Sequence, residues 1–112
     1  MDHKESEIQF YTLVNIFTPT TGKLDALLEL QLAEMKAMST AARKAGWRGN
    51  EVYKAKDGTR LIVVTRFRSE ADKETWAQTA MFQDHIARIG PLVETVESIP
   101  VELSGVHGAP SR

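Results

Sequence analysis

The chain has 112 residues, 42% of them apolar and 26% charged, with 14 basic and 15 acidic side chains and a net charge of −1. That length suits one domain, read as residues 1–112 with a core from 8 to 104 and mobile ends at 1–7 and 105–112. The absence of a basic excess argues against a nucleic-acid partner, and the absence of Cys removes disulfides, thiol nucleophiles and thiolate metal sites. Residues 1–7 are charged and lack the apolar stretch of a secretory signal. No apolar run approaches the roughly 20 residues that span a bilayer, so no membrane is expected and the cytoplasm is the expected compartment.

The first strand, residues 8–18, is a nearly unbroken apolar run through Phe10, Tyr11, Leu13, Val14, Ile16 and Phe17. Apolar side chains at odd and even positions alike mark a strand covered on both faces, hence a central one. Pro19 stops it, because proline cannot donate to the ladder. Asn15 is the anomaly. A buried amide either finds partners in the architecture or faces a cavity where something binds. Thr20-Thr21-Gly22 is a turn rich in helix-starting residues.

Residues 23–45 form an amphipathic helix. Its core line runs through Leu24, Leu28, Met35, Met38 and Ala42, flanked by Leu27 and Leu32. Glu29, Glu34, Lys36 and Arg43 fall elsewhere, and Leu30 points away from the line as a lone surface leucine or a subunit contact. Gly46 suits the left-handed cap that ends the helix. Residues 47–56 and 59–68 are strands joined at Asp57-Gly58, a hairpin signal. In the second of them Leu61, Val63, Thr65 and Phe67 share one face, while Ile62 and Val64 share the other with Arg60, Arg66 and Arg68.

Ser69 opens a helix that runs through Trp76 toward Thr79, with Glu70 and Asp72 at its positive end. A second helical segment carries Phe82, Ile86, Ile89 and Val93 at core spacing, and Gly90-Pro91 interrupts its end. Residues 95–103 are the last strand, which Pro100 places at an edge or a bulge. The order is strand, helix, strand, strand, helix, strand. This is the α+β, ferredoxin-like βαββαβ pattern, a four-stranded antiparallel sheet with two helices on one face. Tyr11, Val14, Ile62, Val64 and Ile99 cannot all face the helices, given the two-residue period of a strand. The open face is therefore apolar, and a homodimer joined through it is expected.

Three phrases carry a family resemblance: Thr12-Leu13-Val14-Asn15-Ile16-Phe17-Thr18-Pro19, the helix from Leu24 to Met38, and Ala45-Gly46-Trp47, where relatives often have Pro-Gly-Phe. Trp76, Phe82 and His85 add to them. Over residues 8–103 the chain resembles the antibiotic biosynthesis monooxygenase (ABM) domain of the dimeric α/β-barrel superfamily. The resemblance implies a dimeric α/β barrel. Its members include cofactor-free monooxygenases acting on phenolic or quinol-like aromatics, and haem-degrading enzymes that use an Asn, a Trp and a His. By resemblance those three would be Asn15, Trp76 and His85. Nine residues of unbroken helix would set Trp76 and His85 about 180° apart, so they converge only if the helix breaks within 79–81.

The leading expectation is a cofactor-independent monooxygenase on a small phenolic or quinol-like aromatic. The alternatives are a haem-binding, haem-degrading enzyme and a non-catalytic small-ligand module whose cavity is closed by side chains. Asn15, Trp76 and His85 are the candidate catalytic residues. Tyr11, Phe17, Tyr53, Arg66 and Phe82 are the candidate substrate pocket. His85 lies at the flank of its helical stripe, as a general base, a haem ligand or a half-exposed helical histidine. No metal site is expected from three dispersed histidines. Nucleophile-elbow, P-loop, GxGxxG and HExxH motifs are absent.

Overall fold

The computed structural model describes residues 9–108. The expected mobile ends 1–7 and 105–112 therefore fall largely outside the described residues. Four strands form one antiparallel sheet in the order β2-β3-β1-β4. They are β1 (Tyr11–Pro19), β2 (Trp47–Lys54), β3 (Leu61–Phe67) and β4 (Val93–Val101). Three helices, α1 (Leu24–Lys44), α2 (Glu70–Ala77) and α3 (Ala80–Ile89), lie on one face, and a 3-10 turn at Gly90–Leu92 leads into β4. This is the expected ferredoxin-like α+β fold, with β1 central and the Pro100 strand at an edge. Pro19 closes β1 at a register shift against β4.

Register fixes which side chains share a face. Asn15 stands opposite Val63 on β3 and Ser98 on β4, and Leu13 opposite Thr65. These point toward the helices with Phe17 and Phe67. Val14, with Val64 and Ile99 as its partners, points the other way, as does Ile16 with Ile62. The open face is therefore apolar at its centre, and Ile99, Val101 and Tyr53 are exposed on it. Tyr11 pairs with Phe67 and turns to the helices, so it does not belong to the open face.

The core has two clusters. One joins Phe17, Leu27, Leu61, Val63 and Ile89; the other joins Ala42, Phe67 and Trp76. The expected line of α1 is rotated. Leu27, Gln31 and Ala42 are its buried residues. Leu30 packs on the first cluster, whereas Leu32 is 48% exposed. The two leucines exchange their expected roles because the buried stripe includes Gln31, which polarity alone would assign to solvent.

Element ends differ from expectation where local hydrogen bonding decides. Thr20 and Thr21 do not cap α1, whose N-cap is Lys23 and has no side-chain cap hydrogen bond. Thr20 instead ties to Leu92, its N–H donating to that carbonyl at 2.9 Å. The hairpin loop is longer than Asp57-Gly58, since the strands end at Lys54 and resume at Leu61. Asp57 Oδ1 accepts from Thr59 N and Thr59 Oγ1, at 3.0 and 2.6 Å. Val93, expected on the last helical stripe, begins β4 yet still packs on the first cluster.

Gly46 links α1, β2 and α2. Its φ is +110°, its carbonyl accepts from Arg68 N at 2.8 Å, and an added Cβ would lie 2.6–2.7 Å from Asp72 Cγ and Cβ. Asp72 is held in place by Ser69 Oγ at its own N–H and by Arg68 Nε at 2.7 Å. Gly46→Ala is therefore expected to cost about 2 kcal/mol or more, from an unfavourable φ and a fixed neighbour. A urea midpoint shift at unchanged slope would measure it.

Candidate active site between the helices and the sheet

A cavity of about 400 Å³ lies between the helices and the helix-facing side of the sheet. The two core clusters flank it. Phe17 and Ile89 line it toward one end, and Ala42, Phe67 and Trp76 toward the other. Asn15, Ser98, Asn50, Gln31 and His85 are among the polar side chains that line it. Apolar walls with a few placed polar groups are the usual make-up of a small-molecule site.

Asn15 satisfies both readings of a buried amide. Ser98 Oγ donates to Asn15 Oδ1 at 2.6 Å, and the same side chain lines the cavity. Its oxygen is therefore held by the neighbouring strand, and the Nδ2 donor has no partner among the described residues.

His85 is buried, at 4% exposure, rather than half-exposed. Its Nδ1 lies 2.7 Å from Glu34 Oε1, and the other oxygen of Glu34 accepts from Arg88 Nε at 2.7 Å. Burial works against the charge on Glu34, but hydrogen bonds from Arg88 and His85 outweigh it and hold the carboxyl below its ordinary value of 4.5. Glu34 is thus a carboxylate at neutral pH and can only accept. The proton between the two residues therefore sits on His85 Nδ1, so that in the neutral imidazole it is Nε2 that carries the lone pair. Nε2 is the ring nitrogen left for the cavity.

Trp76, Phe82 and His85 form one wall. The Trp76 and Phe82 ring centroids are 6.2 Å apart, and those of Phe82 and His85 5.8 Å. The helix break that convergence requires is present at Gln78–Thr79. Thr79 Oγ1 donates to Trp76 O at 2.8 Å and accepts from Phe82 N at 3.2 Å, ending α2 and capping α3 in one residue. A Thr at Ncap competes well with helix continuation, which is why the chain turns there.

Of the eight candidate residues, Asn15, Phe17, Trp76, Phe82 and His85 line the cavity. Tyr11 does not, and packs instead against the Ala42, Phe67 and Trp76 cluster. Tyr53 and Arg66 need correction. Tyr53 pairs with Ile62 on the open face and is 54% exposed. Arg66 shares that face through Thr12 and bonds Glu51 at 3.1 Å. Strand alternation put both on the side away from the cavity. Glu34, Arg88, Gln31, Asn50 and Ser98 were not foreseen. For the first and third a signal exists, because Leu27, Gln31, Glu34, Met38 and Ala42 follow one another at spacings of three and four.

The Glu34 carboxylate predicts acid sensitivity. Its folded pKa is depressed, so the stabilisation is present above pH 4.5 and is lost as pH falls through the lower folded value. Unfolding free energies measured from pH 6 to pH 3 should fall less steeply for Glu34→Gln than for the unsubstituted protein. Parallel curves would show that the carboxylate is not held.

The sequence model of the family described as antibiotic biosynthesis monooxygenase matches residues 10–88. The chain belongs to the ABM family. Among curated proteins no sequence matches it. Solved structures with the same fold include a Chloroflexus aurantiacus protein named for the antibiotic biosynthesis monooxygenases (21% identity, 88% of this chain and 97% of that one, TM-score 0.69). A Shewanella oneidensis protein matches at 20% identity over 87% and 93% of the two chains, with TM-score 0.72. A conserved protein of Methanosarcina mazei matches at 10% identity over 88% and 97%, with TM-score 0.73. At these identities the likeness is one of fold. No helix among the described residues is long and apolar enough to cross a membrane.

Proposed function

We propose that the chain is a cofactor-independent monooxygenase that oxidises a small phenolic or quinol-like aromatic, with His85 as general base. The observation that carries this reading is the Glu34-held imidazole on the wall of an apolar cavity. Carboxylate-oriented imidazoles of fixed tautomer are built to accept a proton.

A phenol gives its O–H proton to His85 Nε2, and Glu34 stabilises the imidazolium. The electron-rich ring carbon of the phenolate bonds dioxygen, the co-substrate, and the peroxide anion takes the proton back from His85. His85 then removes the C–H proton at the oxygenated carbon while the O–O bond breaks. The departing hydroxide takes that proton and leaves as water. A phenol and dioxygen thus become a quinone and water. Trp76 and Phe82 would flank the ring, the Asn15 amide would donate to an oxygen, and the walls would exclude water.

Oxygen uptake with 1-naphthol and a panel of substituted hydroquinones tests the reading; a silent panel removes it. Haem fits this lining poorly. Lys73 is the one cation among the described residues that line the cavity, and it lies 3.7 Å from Glu74, whereas a haem brings two carboxylates. A Soret shift on haem titration, lost in His85→Ala, would reverse that judgement. A cavity of about 400 Å³ speaks against a module closed by its own side chains, and the oxygen-uptake panel separates the enzyme from a non-catalytic small-ligand module. The apolar open face supports a homodimer joined sheet to sheet, which we propose as the working assembly.

A further inference from the structure

Gln31 is 6% exposed and lines the cavity, and its Oε1 is a buried acceptor without a partner. The amide is not free to reverse at will. Its Nε2 donates to Met35 Sδ at 3.3 Å, and Asn50 Nδ2 donates to the same sulfur at 3.3 Å. A thioether accepts weakly and cannot donate. It therefore keeps the amide NH₂ on its side and leaves the oxygen over. The sulfur contact is weak, and a turn of the terminal amide would bring the oxygen toward the cavity that Gln31 lines. A buried acceptor without a partner is a standing penalty, and a ligand that supplies a donor removes it.

Gln31 Oε1 and His85 Nε2 are then two acceptors of the lining that no protein donor among the described residues satisfies. Gln31 lies three residues before Glu34 on α1, about one helical turn from the residue that holds His85. We infer that Gln31 reads the substrate through its Oε1, and that the cavity selects an aromatic with two hydrogen-bond donors, a dihydroxy- or aminohydroxyarene, over a monophenol. The inference rests on the reading of this cavity as the substrate site but not on turnover.

Anaerobic calorimetry with 1,4-dihydroxynaphthalene, 4-methoxy-1-naphthol and 1-naphthol tests it. The diol is expected to bind roughly 10- to 100-fold more tightly than either monophenol. Gln31→Met, close in size and without the acceptor, is expected to bring the three within about two-fold of one another by weakening the diol alone. Three similar affinities in the unsubstituted protein would overturn the inference, whatever the variant does. So would no binding of any probe, or an equal loss for all three in Gln31→Met, which would make the amide merely structural. Diol selectivity without oxygen uptake would leave this inference standing and remove the oxygenase. Oxygen uptake without selectivity would do the reverse.

Discussion

Oxygen uptake by Glu34→Gln is expected to fall further than that by Glu34→Ala, although glutamine is the closer mimic. The reason is Arg88. Its Nε donates to Glu34 Oε2 at 2.7 Å, so in the variant it claims the one amide oxygen. The amide NH₂ then faces His85 Nδ1, which must accept. That places the ring proton on Nε2 and occupies the lone pair that would take the substrate's proton. The loss should approach that of a wrong-tautomer histidine, roughly 10,000-fold at most. In Glu34→Ala the imidazole chooses its own tautomer and loses only the partner of its charged form. His85→Gln should lower the rate by roughly 100- to 10,000-fold, the usual share of a general base. Rates from an oxygen electrode, with near-ultraviolet dichroism to confirm folding, give the ranking. An active Glu34→Gln protein would exclude His85 as the base.

Val64→Asp is expected to convert a dimer to a monomer. Val64 stands at the middle of β3, paired with Val14 on β1 and Glu51 on β2, on the face without helices. In a sheet-to-sheet dimer its side chain would be buried against the partner. A carboxylate there would lose its water without gaining a cation, and Glu51 beside it has the same sign. The monomer tolerates the change, because Val64 is only partly buried in the single chain. Light scattering at micromolar concentration should move from twice the chain mass to 12.5 kDa. If the unsubstituted protein already scatters as 12.5 kDa, the face has another use.

The sequence makes the fold legible because strand period and helix period both survive in it. Asn15 and Phe17 reach the cavity as the alternation of β1 requires. The alternation of β3 alone already sent Arg66 to the opposite face with Ile62 and Val64, and the same rule, applied across the hairpin register, would have sent Tyr53 there too. That register depends on where the loop ends, and a six-residue connection hides it. Glu34 was passed over for another reason, although its spacing fits the buried stripe of α1. A glutamate on an amphipathic helix normally belongs to solvent, and only the arrival of His85 and Arg88 from α3, more than fifty positions later, makes burial affordable. Gln31 escaped notice likewise, its burial depending on a sulfur four residues away.

Thr79 has a consequence for how relatives of this chain can diverge. Since it ends one helix and restarts the next, the orientation of α3 is set by its own cap and not by the phase of α2. A residue gained or lost at Gln78 changes the count between Trp76 and His85 without rotating either ring. The same change at Gln83, inside α3, would swing the imidazole by about 100°. The junction is thus a place where chain length is free to drift while the chemistry stays put. Counting residues between aromatic and histidine is a poor guide to kinship of sites in such chains; locating the cap is a better one.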